Sequence, residues 1–207
     1  CRFLVSLLIA ISVATSTSAQ ERRQAPWVGE TLWNSKCVSS KPQGVGPFDY
    51  TQRARLRKQL QVVENAHFRP EDRNLSNLVS EYADLDYTLR AWPNHHEALH
   101  LVVLVRQLAM VNLRTFDFPP AECYLQRAIN FAPNDYVPYM LLAGVLHREK
   151  KFDEALEAYR MTESLAPGEL QVKYNLGLLL FDMGDFEGAA AYAEAVYSEG
   201  FPLEGLR

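Results

Sequence analysis

Proline recurs in one local setting along this chain. "WPNHH", "APNDY" and "APGEL" place Pro93, Pro133 and Pro167 at the ends of apolar, helix-spaced stretches, and the last two are 34 residues apart. Proline has no amide hydrogen to continue a helix and its ring clashes with the preceding turn, so each one marks a stop and a restart. A chain cut into two-helix units of fixed length buries little apolar surface within any one unit. It must stack them, and an all-α solenoid of antiparallel helix pairs follows.

The interval "DYVPYMLLAGVLHREKKFDEALEAYRMTESLAP" shows how the stacking is arranged. Tyr139, Leu142, Ala143 and Leu146 share one face of its first helix, and Phe152, Ala155 and Tyr159 share one face of its second. The small residues Ala143 and Ala155 let two helices approach closely, and the aromatics fill the space against the next pair. The following interval, "YNLGLLLFDMGDFEGAAAYAEAV", repeats the scheme with Leu176, Gly177, Leu180, Gly184, Phe186 and Ala189 in register.

These residues resemble the tetratricopeptide repeat family, which implies a superhelix of stacked pairs with a concave groove lined by the first helix of each pair. The resemblance is closest over 134–167 and 168–201. It is looser over 94–133, where "MVNLRTFDFPP" adds about six residues, and over 51–93 only the final helix fits. "GPFDYT" and "DYTLRAWPNHHEAL" are also similar to exported proteobacterial repeat proteins of unassigned function. The expected organisation is a signal peptide at 1–19, an extended arm at 20–50, amino-terminal helices at 51–93, repeats over 94–207 and a helical cap.

The signal peptide is read from Arg2, the apolar run Phe3 to Ala14 and the small residues Thr17-Ser18-Ala19, with cleavage after Ala19. The run is too short for a membrane span of about 20 residues; an uncleaved anchor is the alternative. The expectation is therefore an exported protein, periplasmic in a bacterium and secreted otherwise, with no stable span after cleavage. Formal charge is −4 and becomes −5 once Arg2 is removed, which disfavours nucleic acid as a partner. Cleavage leaves Cys37 and Cys123 as a candidate disulfide. Asn74-Leu75-Ser76 is a glycosylation sequon for a eukaryotic host.

"HEALH", His96 to His100, matches the H-E-x-x-H pattern in which two histidines one turn apart bind zinc and the glutamate takes a proton from bound water. A zinc hydrolase also needs a third ligand. "LVVLVRQLAM" after His100 holds neither the Gly nor the His of metzincins, and Glu122 in "PPAECYL" lacks the flanks of thermolysin-like enzymes. The favoured reading has no catalytic residue, no cofactor and no metal. The alternatives are a zinc hydrolase using His96, Glu97 and His100, or zinc bound without catalysis by His95, His96 and His100.

In the repeat register, the groove is lined by Glu97, His100, Leu104 and Gln107, then Met140, Gly144, His147 and Arg148, then Gln171, Tyr174, Leu178, Phe181 and Asp182. An apolar stripe flanked by His and Arg suits a peptide anchored by apolar side chains. The resemblance thus implies a non-catalytic scaffold for a protein or peptide partner in the cell envelope, its oligomeric state open. A glycan binder using groove aromatics such as Tyr174 is a further alternative.

Overall fold

The computed structural model describes residues 24–69, 82–108 and 118–206. The expected signal peptide, the Asn74 sequon and most of the "MVNLRTFDFPP" insertion lie outside the described residues. After a short 3-10 turn at Tyr50–Gln52 come α1 (Arg57–His67), α2 (Tyr82–Ala91), α3 (His96–Leu108), α4 (Ala121–Phe131), α5 (Tyr136–Arg148), α6 (Phe152–Leu165), α7 (Leu170–Asp182) and α8 (Phe186–Ser198). Each helix packs on its successor, and the first helices α3, α5 and α7 also touch one another in sequence. This is an all-helical solenoid of stacked pairs. Among the described residues, no helix is long and apolar enough to cross a membrane.

Local chemistry fixes where the helices begin and end. The Asp135 carboxylate accepts from the Val137 N–H at the start of α5, and that of Asp185 accepts from the Gly188 N–H at the start of α8. Pro138 sits in the first turn of α5, where its missing donor is not needed. Both pairs turn through a residue in the left-handed region, Lys150 at φ 59° and Gly184 at φ 83°. The next amide reaches back five residues in each case, Lys151 N–H to the Leu146 carbonyl and Asp185 N–H to that of Leu180.

Two apolar clusters fill the stack. Leu85, Leu89, Leu99, Val102, Leu125 and Val145 join α2 to α5, and Ala143, Ala155, Tyr159, Val172, Leu176 and Leu179 join α5 to α7, with Tyr192 of α8 packed against them. Each such leucine contributes about 1.5–3 kcal/mol by leaving water.

The arm before Tyr50 is irregular rather than extended, with a tight turn at residues 31–34 closed by a Glu30–Lys36 bridge, and it docks along α2 and α4. Cys37 is bonded to Cys123 on α4, their Cα atoms 5.3 Å apart across 86 residues of sequence. Arg127 of α4 is buried and bridges segments far apart in sequence. Its guanidinium donates to the carbonyls of Ala25 and Leu89 and to the Gln43 side chain, at 2.8, 2.7 and 2.7 Å, and lies over the Trp27 ring. Burial lowers its pKa to about 10, so it stays charged at neutral pH. Beside it, the Tyr124 hydroxyl and Arg90 both donate to Asp86, at 2.6 and 2.8 Å. These bonds satisfy a carboxylate that could not otherwise sit in the core.

Candidate functional site

The repeat register places thirteen residues on the first helices α3, α5 and α7, and the structure divides them into open and covered positions. Glu97 and His100 are exposed on α3. Leu104 is half-buried against the first core cluster, and Met140 against the second. Gly144 lies near the Tyr159 hydroxyl, and Gln171 donates to the Asn175 side chain at 2.9 Å. Phe181 is 55% exposed and meets Phe186, itself 64% exposed, with ring centroids 5.4 Å apart.

Two cross-repeat bonds run along this surface. The Gln107 amide oxygen on α3 accepts from the Arg148 guanidinium on α5 at 2.6 Å, and one pair further on His147 of α5 meets Asp182 of α7 at 2.9 Å. Each joins the penultimate residue of one first helix to the last residue of the next. His147, Arg148 and Asp182 then line, with Lys150 and Phe152, a depression of about 580 Å³. It brings cations, a carboxylate and an aromatic edge together beside the exposed Phe181–Phe186 pair.

Tyr174 differs from the expectation for an open groove position. It is 7% exposed because residues 201–206 fold back over α7 and cover it. Leu178 is half-buried beside the same segment. Gly200 and Pro202 stop α8 from continuing, so the chain returns as a strap.

The three histidines of "HHEALH", His95, His96 and His100, have separate surroundings. His95 is fully buried between the rings of Tyr50 and Phe68, with centroids 4.4 and 4.7 Å away. Its Nδ1 accepts from the Ala98 N–H and so caps α3, which leaves the proton on Nε2, 3.2 Å from Glu64. Burial holds its pKa below the ordinary value, against an opposing pull from Glu64. His96 instead points along the stack and meets the Asp135 carboxylate at 2.8 Å. His95, His96 and His100 therefore do not converge: one is inside, one bonds the next pair, and one faces solvent.

Asp135 gathers more than His96. The buried Asn94 amide donates to it at 2.8 Å and to Asp49 at 3.0 Å, while the Asn94 oxygen accepts from the Tyr50 N–H. Asn94 thus ties the end of the arm to the start of α5. The available sequence signal was an Asn after Pro93 and after Pro133, since "PNHH" and "PNDY" align, although Asn94 is buried and Asn134 is exposed.

Residues 170–198, which span α7 and α8, match the family model of the tetratricopeptide repeat. The peroxisomal targeting signal receptor of Saccharomyces cerevisiae is 30% identical over 77 residues, 37% of this chain and 12% of the receptor. The protein of the same name from Candida glabrata is 23% identical over 145 residues, 58% of this chain and 25% of that one. The chain thus spans a quarter or less of these curated relatives. The solved structure "MamA 41-end from Desulfovibrio magneticus RS-1" has the same fold at a TM-score of 0.51 and 21% identity, over 72% of this chain and 80% of that one. The helix pairs stack in a repeating register and the last pair matches the repeat model, so this chain has a tetratricopeptide-repeat-like fold that carries a recognisable repeat at residues 170–198.

Proposed function

We propose that this chain is an exported, non-catalytic scaffold that holds a protein or peptide partner on the surface formed by α3, α5 and α7. The observation that carries this reading is the exposed Phe181–Phe186 pair beside His147, Arg148 and Asp182. Large aromatic side chains left in water next to fixed charged groups have the composition of an interface anchor. The two relatives are named as receptors of a targeting signal, and a recognition role of that general kind supports the reading.

The H-E-x-x-H segment supports a structural role over a hydrolytic one, because His96 is engaged with Asp135 and the preceding His95 caps the same helix. Export rests on the apolar leader ending in Thr17-Ser18-Ala19, with the Cys37–Cys123 bond in support, since such bonds persist in oxidising compartments. The periplasm is the compartment in a bacterium and the secretory route otherwise.

A photo-crosslinking residue at Phe181 or Met140, with Met161 on the outer face of α6 as control, tests the reading in native cells. One discrete protein adduct is expected from Phe181 and Met140 and none from Met161. Absence of any adduct at both positions, or zinc retained at one equivalent and lost in His100→Ala, would overturn it. Retention of a glycan without a protein adduct would favour a carbohydrate ligand instead.

A further inference from the structure

Residues 199–206 leave α8 and return across the last helix pair. Gly200 makes the turn at φ 77°, and the Phe201 N–H bonds to the Val196 carbonyl at 3.1 Å. The Phe201 ring then lies 5.0 Å from that of Tyr174. Further along, the Gly205 N–H donates to the Tyr174 hydroxyl and the Leu206 N–H to the Tyr197 hydroxyl, both at 3.1 Å. The Leu206 side chain fills the space above Gly177, where a Cβ would stand 2.6 Å from it. Gly205 is equally constrained, since a Cβ there would come within 2.5 Å of the Tyr174 hydroxyl.

This is how a helical surface holds an extended peptide. Side-chain hydroxyls take main-chain donors whatever the sequence, while pockets for particular side chains give selectivity. Here the selective contacts are an aromatic ring on Tyr174 and a leucine over Gly177, with a glycine needed where the backbone passes the phenol. Leu203 between them is 47% exposed, so the segment contributes selected residues rather than a continuous core strand. Pro202 restricts the free segment toward an extended form, which lowers the entropy lost on seating it.

We infer that Tyr174, Gly177, Leu178 and Tyr197 form a seat for an extended segment with an aromatic residue and, five positions on, a leucine preceded by glycine. Residues 201–206 occupy it as an internal ligand, and a peptide of the same pattern displaces them. The inference rests on the reading of α3, α5 and α7 as a peptide surface and names the chemistry of its carboxy-terminal end. Because Tyr174 and Leu178 belong to the groove register, the strap and a partner segment exclude each other there.

A labelled peptide GFPLEGL, the sequence of residues 200–206, tests this by fluorescence anisotropy against the full chain and two variants that unseat the strap. One is Gly205→Val; the other is Phe201→Ala with Leu206→Ala. The peptide should bind both variants saturably, and about tenfold or more tightly than the unaltered chain, whose tethered strap competes at high effective concentration. Adding Tyr174→Ala to either variant, or the Gly205→Val change to the peptide, should abolish binding. The inference is overturned if the peptide fails to bind a variant whose circular dichroism and thermal unfolding show an intact fold. It is also overturned if binding is the same with and without Tyr174. Should the double variant fail to fold, Gly205→Val alone decides, since it leaves α7 and α8 unaltered. Peptide binding lost while crosslinks at Phe181 and Met140 persist removes this inference and leaves the proposed function standing; the reverse pattern removes the function and leaves the seat.

Discussion

His96 and Tyr136 occupy the same place in successive helix pairs. Each is the first residue of a first helix, and each reaches the acidic residue preceding the next pair's first helix, His96 to Asp135 at 2.8 Å and Tyr136 to Glu169 at 3.4 Å. A histidine that looks catalytic in "HEALH" is one rung of a cross-repeat ladder. Substituting His96 with Ala should lower stability by about 1 kcal/mol, the net worth of one such bond. Asp135→Ala should cost about 2–3 kcal/mol, because it also removes the cap on Val137 and leaves the buried Asn94 amide short of an acceptor. Urea unfolding of both variants measures this, and equal, negligible losses would remove the ladder as an account of the motif.

His95 makes the fold sensitive to mild acid. Its folded pKa lies below the ordinary 6.5, chiefly because burial disfavours the cation. The unfolded chain therefore binds more protons than the folded one as pH falls below 6.5, so stability is full above that value and declines with falling pH toward the folded pKa. The urea midpoint should drop between about pH 7.5 and pH 5. His95→Asn keeps a helix-capping side chain and should flatten that drop; an unchanged slope in the variant would assign the acid sensitivity elsewhere.

The pair architecture was legible because its signal is periodic. Pro133 and Pro167 set a 34-residue step, and that step alone fixes which residues of α5 and α7 stand in equivalent places. The same register aligns His147 with Phe181 and Met140 with Tyr174. It does not carry what covers them. Tyr174 lies under Phe201 and Gly205 through a ring contact and a main-chain N–H, and a main-chain donor leaves no trace in sequence. The bonds from Arg127 to the carbonyls of Ala25 and Leu89 are hidden for the same reason. His95 and His96 are neighbours in sequence, yet one faces Glu64 and the other Asp135, because successive helical positions point about 100° apart.

Arg127 and the Cys37–Cys123 bond hold the arm by independent means. Reduction of the disulfide removes a constraint across 86 residues and should cost about 2–4 kcal/mol. Arg127→Ala should cost a similar about 2–4 kcal/mol, by leaving the carbonyls of Ala25 and Leu89 and the Gln43 side chain without their shared donor. Limited proteolysis distinguishes the two. Cleavage within residues 24–49 should appear slowly after either change alone and rapidly after both, whereas rapid cleavage after reduction alone would leave Arg127 no anchoring role.

Lys150 offers a stabilising substitution that follows from the repeat itself. It takes the left-handed conformation at φ 59° that Gly184, 34 residues later, takes at φ 83°. A β-carbon in that region crowds the following carbonyl, and both turns close with the same pair of backward hydrogen bonds. Lys150→Gly removes the crowding but adds conformational freedom to the unfolded chain, and the helix-ending position favours glycine in that balance. The expected net gain is about 0.5–1 kcal/mol in thermal or urea unfolding. Gly184→Lys should lose a comparable amount, and the opposite signs are the test, because a charge effect at the rim of the His147–Asp182 depression would not reverse between two turns of the same geometry.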